Sequence, residues 1–226
     1  MNILAVDTAT ELLSAALLTK NGSWYIEINA GTRHSELLMD SVESLFKLAS
    51  IAPSDLNLIA CMKGPGSFTG LRIGFSTAKG LSMALGIPLL SIPTLDCMAH
   101  SVSFLPGLII PLIDAKKNCF FSALYRKNTR LTDYYDINIE DLLCKIEKER
   151  LSKEEPIILT GTGAKIFLSR LPPEYDKKNL ITSPESSRGR AWELLEMVKS
   201  TRIDSVEGND NNPIYLRKSD AELNKA

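Results

Sequence analysis

Residues Gly64–Arg72 read GPGSFTGLR and follow Leu58–Met62, an apolar run typical of a buried strand. A helix is predicted directly after this loop, over Leu71–Leu85, and it ends at Gly86. A loop in this position presents unpaired backbone N–H groups and the positive end of a helix dipole, which favour a bound anion. The string is not a Walker A loop, because no Gly-Lys-Ser/Thr follows, and it lacks the G-x-G-x-x-G spacing of dinucleotide-binding proteins.

The physics of the loop leaves two interpretations open. In one it is a tight structural turn, with Ser67 or Thr69 capping the helix that follows. In the other it binds an anion such as a phosphate. The residues of such an anion site would be Gly64, Gly66, Ser67, Thr69 and Gly70.

The chain starts with a second candidate phosphate element. NILAV at 2–6 predicts a strand that ends at Asp7-Thr8-Ala9-Thr10, and Leu13–Thr19 and Ser23–Ile28 follow as two more antiparallel strands. A carboxylate at the end of a strand, with hydroxyls in the turn, can hold a metal-bound phosphate through Asp7 and Thr8. Asp and Thr are also common in ordinary polar turns, so this alternative stays open.

The layout of the first strands recurs later in the chain. ILAVD-TATE-LLSAALL-TKNG and IIPLID-AKKN-CFFSALY-RKNT share an apolar strand, an Asp, a short polar turn, a second apolar strand and a Lys/Asn turn. This similarity predicts an internal duplication with two related lobes. We place the first lobe at 1–104 and a smaller second lobe at 105–205, with 206–226 packing back on the first lobe after a linker at 208–212. A helix over Arg190–Ser200 then falls in the second lobe.

Two helices of the first lobe suggest an interface with another chain. The apolar residues of Glu36–Ala49 cover an arc of about 200°, which is wider than one packing stripe needs. The helix 71–85 carries small residues that let another helix approach closely; they are Gly74, Ser76, Ala78, Gly80 and Ala84. Burial inside the first lobe accounts for part of this pattern, and an intersubunit helical bundle accounts for the rest.

Several classes of function find no support in the sequence. A formal net charge of −1 argues against a broadly basic nucleic-acid surface. The two histidines, His34 and His100, form no metal-binding pair, and His34 is expected to face solvent beside Ser35, a candidate helix cap. No G-x-S-x-G elbow is present. The four cysteines lack C-x-x-C spacing, and the early Asp7 interrupts any signal peptide, so reduced thiols in a cytoplasmic protein without a membrane span are expected.

Five segments together resemble one family. They are MNILAVDTAT, RHSELL, KGPGSFTGLRIGFSTAKGLSMALGIPLLSIPTL, IDAKKNCFFSALY and PIYLRKSDAE. In these segments the chain resembles the bacterial TsaB family, formerly called YeaZ. The resemblance covers residues 1–125 and the last dozen, and it is thin across roughly 126–205. It implies a two-lobed α/β fold of the actin-like ATPase/sugar-kinase/Hsp70 class with a reduced second lobe.

The resemblance also implies a role without catalysis. TsaB-like proteins support a TsaD-type threonylcarbamoyltransferase, together with a TsaE-type ATPase, in making threonylcarbamoyladenosine 3′ to the anticodon of tRNAs that read ANN codons. The chain would reach tRNA through that complex, would bind no metal, and has only GTGA at 161–164 beside Asp114 to suggest a nucleotide loop. A homodimer in isolation and a nucleotide at the subunit junction stay open. The alternatives are an ATP-dependent small-molecule kinase of the same fold and a metallopeptidase-like protein.

The partner surface implied by this resemblance lies on the two helices described above. Its side chains are Leu38, Val42, Leu45, Phe46, Ile73, Thr77, Ala78 and Leu81.

Overall fold

The computed structural model describes residues 1–184, 188–199 and 212–217. The chain divides into two compact units, one made of Met1–Cys97 with Gly189–Tyr215 and the other of Met98–Arg188 with Leu216–Ala226. None of the described helices combines the length and the apolar content that crossing a bilayer would require.

The first unit is built on a five-stranded sheet in the order β3-β2-β1-β4-β5. Strands β1 to β3 form an antiparallel meander, whereas β4 and β5 continue the sheet in parallel with β1. The strands are β1 (Ile3–Asp7), β2 (Leu12–Thr19), β3 (Gly22–Asn29), β4 (Leu58–Met62) and β5 (Leu89–Ile92). The helices are α1 (His34–Ala49), α2 (Phe68–Leu85) and, much later in the chain, α6 (Ala191–Val198), and the boundary between the two units falls within α3 (Thr94–His100).

Both faces of this sheet are buried, which explains the uninterrupted apolar run of β1. Leu4 and Val6 point to the face that α1 and α2 cover, whereas Ile3 and Ala5 point to the face that α6 covers. Alternate residues of a strand face opposite sides, so a strand between two helical layers needs apolar residues at every position.

The second unit repeats this arrangement. Its main strands have the order β10-β7-β6-β11-β12, with two further short strands at one end. The strands are β6 (Leu108–Asp114), β7 (Cys119–Ser122), β8 (Tyr125–Arg126), β9 (Thr129–Arg130), β10 (Tyr135–Asn138), β11 (Ile157–Thr160) and β12 (Leu180–Thr182), and the helices are α4 (Ile139–Glu149) and α5 (Ala164–Arg170). Pairing directions match those of the first sheet strand for strand. The predicted common layout is therefore confirmed in the topology.

One predicted strand of the second unit is interrupted. The sequence predicts a strand over 119–125, but β7 ends at Ser122, and pairing with β6 resumes only at Tyr125, in β8. The register on both sides of the gap is the same, and the gap lies opposite Pro111. Proline has no backbone N–H to donate to the ladder, which accounts for the break at this position.

Helix α6 differs from its predicted place. The sequence assigned residues up to 205 to the second lobe, but Leu194, Leu195 and Val198 of α6 pack against the first sheet. An amphipathic helix indicates that one face is buried, not which sheet buries it.

The described end of the chain packs on the first lobe only in part: residues 212–215 belong to the first unit, whereas Arg217 belongs to the second, where its Nη2 donates to Asp136 Oδ1 at 2.6 Å. The Ile214 N–H donates to the Lys63 carbonyl at 2.6 Å, and the ring centroids of Tyr215 and Phe68 are 5.1 Å apart. The predicted linker at 208–212 lies outside the described residues except for Asn212.

Candidate functional site

The two predicted phosphate elements of the first unit lie against each other. The Ser67 N–H donates to the Ala9 carbonyl at 2.7 Å, and Thr8 Oγ1 donates to the Gly70 carbonyl at 2.7 Å. The turn between β1 and β2 thus packs on the GPGSFTG loop and on the first turn of α2. We call this pair of segments, residues 7–10 and 64–70, the turn–loop contact.

The close approach in this contact accounts for three glycines. An ideal Cβ would lie 2.3 Å from the Ala9 carbonyl oxygen at Gly66, 2.1 Å from the Thr8 carbonyl oxygen at Gly70, and 2.2 Å from Thr8 Oγ1 at Gly74. Real Cβ atoms do not approach other heavy atoms so closely. Backbone and hydroxyl oxygens of the chain itself therefore occupy the space that these missing side chains leave.

The backbone of Ile214 lies against the other end of the loop, at Gly64. Gly64 has φ +99°, a conformation that favours glycine, and its ideal Cβ would lie 2.6 Å from the Ile214 carbonyl oxygen. The Gly64 carbonyl accepts a hydrogen bond from the Thr94 N–H at 2.9 Å.

Ser67 caps α2, as one of the two interpretations predicted. Its Oγ accepts a hydrogen bond from the Gly70 N–H, so the helix begins at Phe68 rather than at the predicted Leu71. Thr69 is exposed and lies inside the first turn.

Both carboxylate oxygens of Asp7 accept hydrogen bonds from within the chain. Its side chain is 1% exposed; Oδ1 accepts from the Ala9 N–H and Oδ2 accepts from the Arg190 N–H, both at 2.9 Å. Arg190 is the residue directly before α6, so the carboxylate also lies at the positive end of that helix. The sequence does not predict this hydrogen bond, because no local pattern relates Asp7 to a backbone N–H so far along the chain.

Neighbouring residues anchor the same helix start. The Gly189 N–H donates to Glu27 Oε2 at 2.8 Å, and the Ala191 N–H donates to Ser14 Oγ at 3.0 Å. Three consecutive N–H groups of the α6 start are thus bound by side chains of the first three strands. These bonds, together with the packing of Leu194, Leu195 and Val198 on the sheet, hold α6 in the first unit.

Burial raises the pKa of the Asp7 carboxyl above its ordinary value of 3.8, although the Ala9 and Arg190 N–H groups and the Arg190 charge act in the opposite direction. Just above pH 3.8 the folded chain therefore keeps a proton that the unfolded chain has released. The free energy of unfolding should fall as the pH rises through this interval. We expect Asp7→Asn to remove that part of the pH dependence, measured by urea unfolding at several pH values.

Asp40→Asn is the control for this prediction, because Asp40 is exposed on α1. If the free energies of unfolding of the parent chain and of Asp7→Asn differed by the same amount at every pH, the role given to Asp7 would be contradicted.

The corresponding elements of the second unit, Asp114 and the GTGA segment, also form hydrogen bonds within the chain. Asp114 Oδ1 accepts from the Lys116 N–H at 3.0 Å, and Oδ2 lies 2.8 Å from Lys116 Nζ. Although partial burial acts to raise the pKa of Asp114, the Lys116 hydrogen bonds and charge outweigh it and lower the pKa. In the GTGA segment the Gly163 N–H donates to the Leu112 carbonyl, and an ideal Cβ at Gly161 would lie 2.4 Å from that oxygen.

The side chains predicted for the partner surface lie largely inside the first unit. Leu38, Val42, Leu45, Phe46 and Ala78 are buried in the core between the sheet and the helices. Most of the wide apolar arc of α1 packs within the chain, although Leu48 is 62% exposed, and the five buried residues offer no surface to a partner. Substitutions such as Leu45→Glu or Ala78→Arg would disrupt the core rather than test an interface.

The outward face of α2 is different. Ile73, Thr77 and Leu81 are half-buried, and Ser76, Gly80 and Ala84 beyond them are exposed. An ideal Cβ at Gly80 would meet nothing within 4 Å, so packing within the described chain does not explain this glycine. Met83 on the same helix is 74% exposed. We call Ile73, Ser76, Thr77, Gly80, Met83 and Ala84 the outer face of α2.

The histidines and cysteines complete the set of predicted candidates. His34 begins α1 and is buried, so the expectation that it faces solvent was wrong. Cys61 and Cys97 are buried, and burial raises the pKa of the Cys61 thiol to about 12. Across residues 1–184, 188–199 and 212–217, no group of three His, Cys, Asp or Glu side chains is arranged to hold a metal ion.

Comparison with known proteins gives consistent matches. Residues 28–178 match the family model described as TsaD, tRNA N6-adenosine threonylcarbamoyltransferase. The chain is 30% identical to the tRNA threonylcarbamoyladenosine biosynthesis protein TsaB of Bacillus subtilis, over 98% of this chain and 96% of that protein. It is 33% identical to the protein of the same name from Escherichia coli, over 97% and 96% of the two chains.

A solved structure supports the same assignment of fold. YeaZ from Pseudomonas aeruginosa superimposes with a TM-score of 0.75 at 23% identity, covering 95% of this chain and 99% of that one. The chain therefore has the fold of YeaZ, as the resemblance predicted.

Proposed function

The chain belongs to the TsaB (YeaZ) family, and from this membership we propose that it is a non-catalytic partner subunit in the synthesis of threonylcarbamoyladenosine in tRNA. Its relatives from B. subtilis and E. coli are named as biosynthesis proteins for this modification and match it along nearly their whole length. The kinase and metallopeptidase alternatives are not favoured by these relatives.

The observation that supports the non-catalytic role is that the polar groups of the turn–loop contact are bonded within the chain. Both oxygens of Asp7 accept backbone N–H groups, and the Gly66 and Gly70 positions are closed by the Ala9 and Thr8 carbonyls. A carboxylate that positions a metal-bound phosphate needs free oxygens and an open approach. The residues singled out for phosphate chemistry therefore serve to hold α2 and α6 on the sheet.

The partner that we propose is a TsaD-type threonylcarbamoyltransferase. The match of residues 28–178 to the TsaD family model indicates that the two proteins are related in this part of the chain. Related folds often pair through equivalent elements, and the outer face of α2 offers an exposed strip of small and apolar side chains for this purpose. A homodimer through the same face is the arrangement expected when the partner is missing.

The complex would act in the cytoplasm, with a TsaE-type ATPase as a third component and tRNA bound through the assembly. A nucleotide at the subunit junction would then be held mainly by the partner, since Asp7, Gly66 and Gly70 of this chain are occupied.

Reconstitution tests this proposal directly. We expect no modified adenosine from this chain with tRNA and threonylcarbamoyl-adenylate, full modification when the TsaD-type and TsaE-type proteins are added, and at least a tenfold loss when this chain is then left out. Modified nucleoside is measured by mass spectrometry after digestion of the tRNA. Conversion of tRNA by this chain alone would overturn the non-catalytic assignment, and unchanged conversion without it would overturn the partner role.

A further inference from the structure

One stretch of the first unit is basic, although the chain as a whole is not. No Asp or Glu occurs between Asp55 and Asp96, whereas the chain contains 27 of these residues in total. The same stretch contains Lys63, Arg72 and Lys79. Helix α2 lies within it and therefore bears only positive charges. A surface with charges of one sign attracts ligands of the opposite sign.

Two aromatic rings and a guanidinium are stacked at the start of this helix. Cζ of Arg72 lies 3.8 Å from the ring centroid of Phe68, one helical turn earlier, and the ring centroid of Tyr215 lies 5.1 Å from that of Phe68. Tyr215 is 42% exposed, and Arg72 is exposed as well, so both side chains can be reached from solvent. All three residues belong to the first unit. We call Phe68, Arg72 and Tyr215 the aromatic–basic cluster.

The positive charge of this cluster is not neutralised within the described chain. Arg72 lies on the ring of Phe68, which holds its guanidinium in place, and it forms no ion pair with another described residue. A second arginine over a ring is in a different setting. Arg130 lies 4.0 Å from the ring centroid of Tyr134 in the second unit, and carboxylates of Asp133 and Glu149 line the same depression.

A guanidinium beside an exposed aromatic ring fits an unpaired nucleotide. Proteins hold single-stranded RNA by stacking its bases on aromatic side chains and by donating hydrogen bonds to its phosphates. Bases inside a double helix are stacked on each other and present no free face to a ring. The cluster offers both kinds of contact side by side, in a stretch without carboxylates that would repel the phosphates.

We propose that the aromatic–basic cluster binds an unpaired nucleotide of the tRNA that is modified in the complex. The base stacks on the ring of Tyr215, and its phosphate accepts hydrogen bonds from the Arg72 guanidinium. Lys79 lies two turns, about 10 Å, further along α2 and contacts a neighbouring phosphate. This inference rests on the proposed function, which supplies tRNA as the ligand. It adds that this chain contacts the tRNA itself rather than only through its partner.

Binding is tested on the complex of the full-length chain with the TsaD-type protein, by fluorescence anisotropy of labelled tRNA at several salt concentrations. Arg72→Gln should weaken binding about five- to tenfold and reduce the slope of log affinity against log salt by about 0.7, the value for one phosphate contact of a single strand. Tyr215→Leu keeps an apolar contact with Phe68 but lacks the ring, so it should weaken binding about tenfold without changing this slope. Parental affinity in either variant would overturn the proposal.

Two control variants and a second RNA locate the contact. Arg130→Gln removes the arginine that is stacked on a ring in the second unit, and Tyr215→Phe retains the aromatic ring, so both should bind tRNA as the parent does. A fully double-stranded RNA has no unpaired base, and its affinity should be the same for the parent and Tyr215→Leu. Equal losses in Arg72→Gln and Arg130→Gln would show that total charge is responsible, and equal losses for duplex and tRNA in Tyr215→Leu would exclude base stacking; each result would overturn the proposal.

Pairing with the TsaD-type protein is measured separately, by titration calorimetry. Arg72→Gln and Tyr215→Leu should pair as the parent does, and loss of pairing in both would show that the cluster docks the protein partner instead of RNA, which would overturn the proposal. Reconstitution distinguishes this inference from the proposed function. If modification requires the chain while both substitutions leave the affinity for tRNA unchanged, only the inference fails. If modification proceeds equally well without the chain, the proposed function fails.

Discussion

Replacing Gly70 with alanine should destabilise the first unit by about 3 kcal/mol or more, whereas the same change at Gly80 of the same helix should stabilise it by about 0.5–1 kcal/mol. A Cβ at Gly70 would lie 2.1 Å from the Thr8 carbonyl oxygen, and relief of this overlap requires β1–β2 and α2 to separate. A Cβ at Gly80 meets nothing within 4 Å. The substitution at position 80 then changes only the helix propensity, which is higher for alanine than for glycine.

Urea unfolding of the two variants and the parent chain measures both effects. The pair is internally controlled, because the substitution and the helix are the same and only the surroundings of the Cβ differ. If Gly70→Ala were as stable as the parent, the close packing of the turn–loop contact would be contradicted. A lower stability of Gly80→Ala would show that packing within the chain itself requires a glycine at this position.

Gly80→Arg should weaken pairing with the TsaD-type partner by about 100-fold or more while the chain stays folded. Closely packed interfaces do not accommodate an added long side chain without separating, and separation exposes the whole contact to water. The exposed position of Gly80 leaves room for the arginine in the free chain. Modification of tRNA in the reconstituted system should fall with the loss of pairing.

The matched control is Cys144→Arg, which introduces the same side chain at an exposed position of α4 in the second unit. Affinity is measured by titration calorimetry with the purified partner, and folding is checked by circular dichroism. Parental affinity in Gly80→Arg would show that the outer face of α2 is not the docking surface. Equal loss in both variants would show that charge, rather than position, is responsible.

Local signals in the sequence were sufficient for most of the secondary structure. The apolar run of β1 and the amphipathic pattern of α1 each report burial of a segment on its own, and Gly86 ends α2 in the left-handed conformation, at φ +66°. Repetition of the strand-Asp-turn-strand pattern was enough to predict that both sheets have one layout. Such signals depend on neighbours within a few residues, which a sequence displays directly.

The placement of the candidate site residues was less predictable. The wide apolar arc of α1 predicts a partner surface in addition to burial within the lobe, but Leu38, Val42 and Leu45 are buried against the sheet and α2 of the same chain. An arc of apolar residues measures how much of a helix is buried and contains no information about what buries it. Ile73, Thr77 and Leu81 remain candidates because they are half-buried on the side of α2 that leads to Gly80.

The GPGSFTGLR string was enough to determine the bend between β4 and α2, and, with the other matching segments, the family. Only the tertiary structure decided what its glycines do. Gly66 and Gly70 lack side chains because the Ala9 and Thr8 carbonyls approach them, and Asp7 is occupied by the Arg190 N–H at the start of α6. These contacts join segments that are distant in the chain. Their partners are selected by the packing of the whole unit, so no local pattern in the sequence could identify them.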